Sequence, residues 1–321
     1  MSASAATVAP RVALVVPTLN AGPQWRAWLA AYGRQTLKPA PALVVDSSST
    51  DGTPELARAA GMEVVTIARS EFNHGGTRQW AIERLPADIE LVILATQDAV
   101  PADEQAFAEL VAAFDDPAVG AAYGRQLPRP GAGPIEAHAR LFNYPESGAL
   151  KSLADAPVLG IKTAFISNSF AAYRRRALEA VGGFPRDAIV SEDTWVSARM
   201  LLAGWRVAYR AGARVFHSHA YSPWQDLQRY FDIGVFHAAN PWIMQAFGAA
   251  EGEGRRFVES EIRHLLRHAP HLIPSALLRT AMKYLGYALG RREAVLPAWL
   301  KTRMSMHPGY WARAAAREGT G

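Results

Sequence analysis

The sequence predicts an α/β fold, a mainly parallel sheet flanked by helices, with a helical C-terminal appendage. Short apolar runs alternate with amphipathic segments over residues 12–123, a pattern typical of parallel strands connected by helices. Polar clusters follow the first, second and fourth runs, at the strand ends where such sheets bind ligands. Beyond Pro223 the pattern is helical. We therefore expect one domain over residues 1–222 and a mostly helical basic region over residues 223–321.

The elements of the first half follow from apolar runs and helix-capping residues. The run over residues 12–16 is closed by a proline and predicts a buried strand. Aromatic residues at helical spacing over residues 25–32 predict an amphipathic helix. Thr53 is the expected N-cap of a helix with Pro54 in its first turn. By the same rules the expected strands are 12–16, 42–45, 63–68, 91–95 and 119–123, and the expected helices are 25–33, 53–60, 77–85 and 103–114.

The second half of the chain is less regular. The segment 125–163 is rich in Pro and Gly and has weak periodicity, so we expect a long irregular connection there. A helix is expected over residues 192–202, where Gly204 follows its last turn. Residues 205–209 and 213–217 are expected to form a hairpin of short strands.

Composition excludes several classes of protein. Half of the 321 residues are hydrophobic, which supports a packed core, and the absence of cysteine excludes disulfides, thiolate metal sites and cysteine nucleophiles. The first ten residues lack the pattern of a signal peptide, and no window has the roughly 20 apolar residues of a membrane span. Neither a dinucleotide-binding G-x-G-x-x-G nor a P-loop motif is present. We expect a cytoplasmic protein, either free or peripheral on the inner face of the cytoplasmic membrane.

The charge of the chain is concentrated in its tail. After residue 254 twelve Lys and Arg face four Glu, so the tail carries +8 and the rest of the chain −3. Basic residues there interleave with leucines at helical spacing, as in helices that lie on anionic membranes. The same apolar face can pack on the body or on a second subunit of a homo-oligomer. We expect no nucleic-acid partner, because no nucleic-acid-binding motif accompanies the charge.

Two carboxylates lie in the hydroxyl-rich loop after the second strand, Asp46-Ser-Ser-Ser-Thr-Asp51-Gly-Thr53. Such carboxylates can accept hydrogen bonds from a base and from ribose hydroxyls. Asp and Ser are also ordinary turn and cap residues, and the loop alone leaves both interpretations open.

Several motifs occur in an order that resembles the family-2 inverting glycosyltransferases of the GT-A fold. They are Val15-Val-Pro-Thr-Leu-Asn20, Val44-Val-Asp46 with the loop to Thr53, Thr96-Gln97-Asp98, and Ser191-Glu192-Asp193. Three further segments resemble the bacterial rhamnosyltransferase branch, which uses dTDP-L-rhamnose to build surface polysaccharides. These are Phe72-Asn-His-Gly-Gly-Thr-Arg78, Thr96-Gln-Asp-Ala-Val-Pro101 and His217-Ser-His-Ala-Tyr-Ser222.

The resemblance implies a role for each motif in binding the nucleotide-sugar donor. Arg78 would hold the phosphates, and Gln97 would contact the ribose or the diphosphate. A solvated helix Arg is the alternative for Arg78, which is followed here by Gln79 where the family has Asn. The residues expected around the nucleoside are Pro17, Thr18, Asn20, Asp46 and Asp51.

A divalent cation, Mg²⁺ or Mn²⁺, is implied beside the donor phosphates. Asp98 would bind it, because carboxylate oxygen is a preferred ligand of these ions, and His217 corresponds to the late histidine of the family. His219 is either a second metal ligand or a contact to the acceptor, and Asn168 lies in a segment that resembles the acceptor side. The family usually has a second Asp near Asp98, whereas this chain has Thr96 and Gln97. A simple turn Asp is the alternative for Asp98.

Asp193 is the expected general base, with Glu192 orienting it or binding acceptor hydroxyls. Inversion at an anomeric carbon needs a base that takes the proton of the attacking hydroxyl. A carboxylate at a helix N-terminus is kept ionised by the helix dipole. Acidic residues in a first helical turn are also common caps without chemistry, so capping is the alternative.

The sequence thus predicts transfer of a sugar, L-rhamnose from dTDP-L-rhamnose, to a hydroxyl of a surface-polysaccharide acceptor that is lipid-linked in many members of the family. One alternative is a family-2 enzyme that uses a UDP-hexose. The other is a catalytically silent scaffold of the same fold that binds a glycan.

Overall fold

A mixed β-sheet forms the centre of the molecule in a computed structural model that describes residues 10–250 and 252–318. The expectation that the chain has no signal peptide rests on residues 1–9, which lie outside the described residues. The strands of the described chain are β1 Val12–Thr18, β2 Ala42–Asp46, β3 Glu63–Thr66, β4 Leu91–Ala95, β5 Val100–Pro101, β6 Val119–Leu127, β7 Ala149–Lys151, β8 Phe170–Arg174 and β9 Arg206–Phe216.

The strand order is β3-β2-β1-β4-β8-β6-β9-β5, and β7 also pairs with β9. Strands β3, β2, β1 and β4 are mutually parallel, as the alternating pattern predicts. Strand β8 runs antiparallel to both β4 and β6, and β9 is again parallel to β6. The parallel half therefore places the loops that follow β1, β2 and β4 at one edge of the sheet.

Helices cover the sheet and then continue as the C-terminal region. Those within the body are α1 Gln24–Arg34, α2 Thr53–Ala59, α3 His74–Arg84, α4 Ala106–Val111, α5 Pro134–Asn143, α6 Ala156–Leu159, α7 Arg175–Ala180 and α8 Glu192–Leu202. Those after residue 222 are α9 Pro223–Ala239, α10 Pro241–Phe247, α11 Glu253–His268, α12 Ile273–Gly290, α13 Ala298–Met304 and α14 Pro308–Glu318.

Two expectations about the second half are wrong. The segment 125–163 is not an irregular connection, because β6 extends to Leu127 and is followed by α5, β7 and α6. Residues 205–217 do not form a hairpin. They form the single strand β9, whose register against β6 shifts between Gly124 and Arg125. Since β9 pairs with β6 and with β7 before this shift and with β6 and β5 after it, the irregular strand continues through residues 211–213 without a turn.

Smaller corrections concern the bounds of elements. Strand β3 ends at Thr66 and not at residue 68, α3 begins at His74, and α4 is shorter than the expected helix over residues 103–114. Thr53 is the first residue of α2 and not its cap. Gly52 precedes it with φ 82°, a left-handed conformation that glycine adopts without strain.

The C-terminal helices share a core with the body. Leu227, Phe231 and Phe236 of α9 belong to the same buried cluster as residues of β1, β4 and β8. The domain boundary at residue 222 coincides with the start of α9, and it stays a prediction. In the part of the chain that the structure describes, we find no helix with both the length and the hydrophobicity that a bilayer crossing requires.

Helices α9 and α12 pack so closely that glycines lie against backbone. A Cβ on Gly290 would come within 2.1 Å of the Phe231 carbonyl oxygen, and one on Gly286 within 2.3 Å of the Leu227 carbonyl oxygen. No side chain fits between the helices at these points, so the glycines set their spacing.

Candidate active site

The loops after β1 and β2 are joined by the side chain of Asp46. This carboxylate is buried and accepts hydrogen bonds from the Thr18 hydroxyl at 2.8 Å and from the Ser49 amide and hydroxyl at 2.8 and 2.6 Å. Pro17 lies in β1 beside Val45 of β2. The polar residues expected around the nucleoside therefore do meet at one edge of the sheet, and their contact with a base or ribose stays a prediction.

A second set of hydrogen bonds holds the same loops. Asp51 accepts from the Gly22 amide at 2.9 Å and from the Thr53 hydroxyl at 2.6 Å. The bond from Thr53 lowers the pKa of the Asp51 carboxyl. The Asn20 side chain accepts from the Thr50 amide, and the Gln97 amide bonds both the N–H and the carbonyl of Leu19. The backbone of the donor-side loops is thus fixed by the residues that the motifs single out.

Backbone strain is concentrated in the same region. Among the described residues other than glycine, positive φ angles occur at Asn20 (43°), Ser48 (60°) and Ser191 (60°). The first two lie in the loops after β1 and β2, and Ser191 directly precedes Glu192. Such conformations persist only where surrounding contacts impose them, and they cluster at functional sites.

Asp98, His217 and His219 form a cluster of three ligand atoms within 4.8 Å of one another. Asp98 follows β4, and both histidines follow the end of β9. The Nε2 atoms of His217 and His219 lie 3.5 and 3.6 Å from Asp98 Oδ2. One carboxylate and two imidazoles at these separations can hold a divalent cation. The cluster includes both residues assigned to the cation from the sequence and also His219.

The hydrogen bonds of Gln126 determine which nitrogen of His217 faces Asp98. Gln126 Oε1 accepts from Arg140 Nη1 at 2.6 Å, and an arginine can only donate. His217 Nδ1 lies 2.9 Å from the same oxygen, so Nδ1 carries a proton. In the neutral ring Nε2 then presents a lone pair to Asp98 Oδ2. Two such electron-rich atoms repel unless a proton or a cation lies between them, so the arrangement fits a bound cation.

The Asp98 carboxyl is ionised in this environment. Burial alone would raise its pKa, but the hydrogen bond and the charge interaction with His217 outweigh burial and lower the pKa well below its usual range. Burial lowers the pKa of His219 to about 4. The cluster therefore combines a carboxylate with a neutral His219 imidazole at neutral pH.

Glu192 is buried at the start of α8 and is paired with Arg78. Its Oε1 accepts from Arg78 Nη1 at 2.9 Å and from Asn168 Nδ2 at 3.0 Å. Burial opposes ionisation of Glu192, yet the Arg78 charge lowers its pKa. The Arg78 side chain is only 4% exposed. Its guanidinium is directed to Glu192 and to the His74 carbonyl, so its assignment to the donor phosphates stays a prediction.

Asp193 lies beside this pair. Its Oδ2 accepts from the backbone N–H of Asn168 at 3.1 Å, and its Oδ1 accepts from the backbone N–H of Thr194 at 2.7 Å. Burial and the neighbouring Glu192 charge raise the pKa of Asp193 to about 7. A carboxyl with such a pKa is a much stronger base than an ordinary aspartate, as general base catalysis near neutral pH requires.

Residues 167–169 connect the carboxylate pair to the histidine cluster. Ser167 Oγ accepts from Gln126 Nε2 at 2.9 Å, Asn168 contacts both Glu192 and Asp193, and the Ser169 carbonyl accepts from the Thr96 amide at 3.2 Å. Asn168 itself is buried, and its Oδ1 accepts from the Tyr173 hydroxyl at 2.8 Å. Asn168 thus positions the carboxylates, and its expected contact to the acceptor stays a prediction.

The C-terminal region contributes residues to the same site. Tyr221 stacks on His219 with ring centroids 5.2 Å apart, and Arg229 of α9 lies above the Tyr221 ring at 5.7 Å. The His307 ring contacts the His74 ring at 5.2 Å, and its Nε2 lies 4.0 Å from buried Asp232. The site is therefore completed by helices that follow the sheet in the sequence.

Sequence reasoning missed several of these residues. Gln126 falls in the segment expected to be irregular, and Arg140 belongs to a helix that was not expected at all. Tyr173 lies in an apolar strand, and Arg229 and His307 belong to the helical region after residue 222, in which no site residue was expected. The one available signal was Tyr221, which stands in the motif His217-Ser-His-Ala-Tyr-Ser222.

The sheet, with its polar loops and acidic clusters at one edge, has the architecture of the GT-A fold. Solved structures share this fold. Mannosyltransferase PcManGT from Pyrobaculum calidifontis, in complex with GDP-Man and Mn²⁺, has a TM-score of 0.55 at 22% identity over 97% of this chain and 87% of its own. TarS residues 1–349 from S. aureus, in complex with UDP-GlcNAc, has a TM-score of 0.52 at 15% identity over 88% of this chain and 91% of its own.

The chain belongs to glycosyl transferase family 2, whose family model matches residues 13–182. It is similar to the O-antigen chain rhamnosyltransferase WbaN of Salmonella anatum, with 49% identity over 94% of this chain and 96% of the relative. RfbN of Salmonella typhimurium, of the same description, is 48% identical over the same shares. The chain is therefore a glycosyltransferase, and the expected family and fold are confirmed.

Proposed function

We propose that the protein transfers L-rhamnose from dTDP-L-rhamnose, with inversion, to a hydroxyl of a growing O-antigen-type polysaccharide. The arrangement that carries this proposal is the pairing of a raised-pKa carboxyl, Asp193, with a cation cluster at Asp98, both held by residues 167–169. The sugar and the type of acceptor are suggested by the two rhamnosyltransferase relatives.

Asp193 would act as the base. One carboxylate oxygen would accept the proton of the acceptor hydroxyl while that hydroxyl attacks the anomeric carbon from the face opposite the diphosphate. The two backbone amides that donate to Asp193 fix its orientation. Glu192 raises the pKa of Asp193 through its charge, so it would tune the base without touching the acceptor.

Asp98, His217 and His219 would hold a divalent cation, which supplies positive charge to the departing diphosphate. Mg²⁺ prefers an all-oxygen shell, whereas imidazole nitrogen suits the transition metals better. Two of the three ligands here are imidazoles, so we propose Mn²⁺ over Mg²⁺. Gln126 would orient His217 by holding its Nδ1 proton.

The donor is tested with a panel of nucleotide sugars. Purified protein with Mn²⁺ and a lipid-linked or soluble glycan acceptor should release dTDP from dTDP-L-rhamnose at the highest rate. Release from a UDP-hexose instead would identify the alternative donor. Release at background level from every donor would favour the catalytically silent scaffold.

The acceptor is proposed to be lipid-linked, which would place the protein on the inner face of the cytoplasmic membrane. Helix α12 carries an uncharged face that the body does not cover, the apolar stripe. Its members are Pro274, Leu277, Leu278, Ala281, Tyr284 and Leu285, and all are exposed. They fall on one side of a helix with 3.6 residues per turn. Beyond the stripe, Val295 is 80% and Trp299 68% exposed.

Positive charge surrounds the apolar stripe. Arg263 and Arg267 flank exposed Leu266 on α11, and Arg291 and Arg292 follow α12 directly. All four arginines are exposed. Leucine, tyrosine and tryptophan beside arginine match the boundary of an anionic bilayer, where apolar side chains enter the lipid and cations meet the headgroups. We therefore propose an anionic membrane as the partner of this surface.

Vesicle binding tests the membrane contact. The full chain should sediment with vesicles that contain phosphatidylglycerol, and high salt should weaken binding because it screens surface charge. Leu278→Asp with Leu285→Asp should abolish binding, whereas Leu202→Asp, at an exposed leucine of α8, should not. Equal binding to neutral vesicles would overturn the preference for anionic lipid. A dimer that these two substitutions dissociate would replace the membrane with a second copy of the chain.

A further inference from the structure

The nucleoside diphosphate that leaves the sugar carries more negative charge than one divalent cation balances, and the structure offers a second source of positive charge. The sequence assigns this task to Arg78, but Arg78 is buried and its guanidinium is neutralised by Glu192 at 2.9 Å. A phosphate would have to compete with that buried carboxylate. Another arginine near the site is better placed to bind phosphate.

Arg229 is exposed on α9, and within the described part of the chain it has no carboxylate at salt-bridge distance. Its contacts are the Tyr221 hydroxyl, 3.5 Å from Nη1, and the Tyr221 ring. Tyr221 stacks in turn on His219, whose Nε2 lies 3.6 Å from Asp98. A continuous series of contacts thus leads from the cation cluster to the guanidinium.

The charge of Arg229 also reaches two histidines on the other side of the site. Burial is the main cause of the lowered pKa values of His74 and His307, and the positive charge of Arg229 adds to the lowering at both rings. His74 is the first residue of α3, and His307 directly precedes α14.

We propose that Arg229 is a second phosphate ligand, which binds the diphosphate of the donor and of the released nucleotide beside the cation cluster. Guanidinium groups bind phosphate through paired charge-assisted hydrogen bonds. The aromatic ring of Tyr221 supports the planar group from one side, and apart from the long contact of Nη1 to the Tyr221 hydroxyl its N–H groups can donate to phosphate. This inference rests on the proposed function, since it needs a nucleoside diphosphate at the cation cluster.

Three other arginines near the site are already engaged. Arg140 donates to Gln126 Oε1 at 2.6 Å, and Arg125 pairs with Glu146 at 3.2 Å. Arg279 pairs with buried Asp226 at 2.9 Å. Arg229 differs from these because its Nη groups are free of any acidic partner among the described residues.

The test is binding of dTDP to the full chain in the presence of Mn²⁺, measured by calorimetry without acceptor. A charge-assisted hydrogen bond contributes about 1.5–3 kcal/mol, so Arg229→Ala should weaken dTDP about 10- to 100-fold. Arg229→Lys should recover part of the affinity. Arg303→Ala, at an exposed arginine in the same C-terminal region, should bind dTDP as the wild type does.

The outcomes separate this inference from the proposed function. If the wild-type protein binds no nucleoside diphosphate, both the proposed function and the role of Arg229 are wrong. Wild-type binding with an unchanged affinity in Arg229→Ala would overturn the role of Arg229 alone, and a raised KM for the acceptor in that variant would then assign the arginine to the acceptor. Thymidine, which lacks the diphosphate, should compete with dTDP at the same concentration in the wild type and in Arg229→Ala. A parallel loss of thymidine binding would show a distorted pocket and would also overturn the inference.

Discussion

Replacing Asp193 by Asn tests the proposed base with little change in shape. The Asn oxygen can keep the hydrogen bond from the backbone N–H of Thr194, so one of the two backbone contacts of this side chain remains. The Asn NH₂ group then faces the Asn168 amide, where Asp193 Oδ2 now accepts at 3.1 Å. Two donors meet at that point, and the variant loses the only oxygen able to take a proton there.

The expected magnitudes differ for stability and for rate. An unsatisfied buried donor costs about 1–3 kcal/mol, which a folded domain of this size tolerates. A positioned general base contributes about 10²- to 10⁴-fold, so kcat should fall by that factor. Binding of the nucleotide sugar should stay unchanged, because the hydrogen bonds of Asp193 are to Asn168 and Thr194 and not to the loops after β1 and β2.

The matched variant is Glu192→Gln. It removes the charge that balances buried Arg78, and breaking a buried ion pair costs up to about 3–5 kcal/mol. Stability should therefore fall more in Glu192→Gln and turnover more in Asp193→Asn, as thermal unfolding and dTDP release would measure. Asp193→Asn with normal turnover would place the base elsewhere, and an unfolded Asp193→Asn would leave capping as the role of this residue.

Three further predictions concern pH, the cation and helix packing. Because only the ionised Asp193 accepts a proton and its pKa is raised to about 7, kcat/KM should fall as pH drops through 7; a flat profile down to pH 5 would contradict the raised pKa. Asp98→Ala or excess chelator should abolish turnover, and full activity in chelator would make Asp98 structural. Gly290→Ala places a Cβ 2.1 Å from the Phe231 carbonyl oxygen, so the free energy of unfolding, measured with denaturant, should fall by about 1–3 kcal/mol. Gly254→Ala, where a Cβ meets open space, should not lower the free energy of unfolding in this way.

The parallel half of the sheet was predictable because its signals are local. Strands β1, β2 and β4 are apolar runs that end at polar residues, so these strands and the polar loops after them follow from short windows of sequence. Asp98 and His217 lie far apart in the sequence, and only the resemblance to a known family paired them. The structure places both in one cluster.

The remaining parts depend on tertiary contacts that no short window contains. Strand β9 has the Ala-Gly-Ala sequence of a turn at residues 211–213, but the residues before and after it pair with β6, β7 and β5 and keep the strand continuous. Arg78 has the sequence context of a phosphate ligand, and only the fold places it against Glu192, 114 residues away. The orientation of His217 depends likewise on Gln126, a residue without any motif of its own.

The glycine contacts between α9 and α12 have a mechanical consequence. Where two helices touch backbone to backbone, no compressible layer of side chains lies between them, so we expect α9 and α12 to move as one rigid unit. Helix α12 carries the apolar stripe, and α9 carries Arg229. A membrane that binds α12 would therefore also fix the distance of α9 from the bilayer and its tilt. That distance would determine which part of a lipid-linked glycan lies at the site.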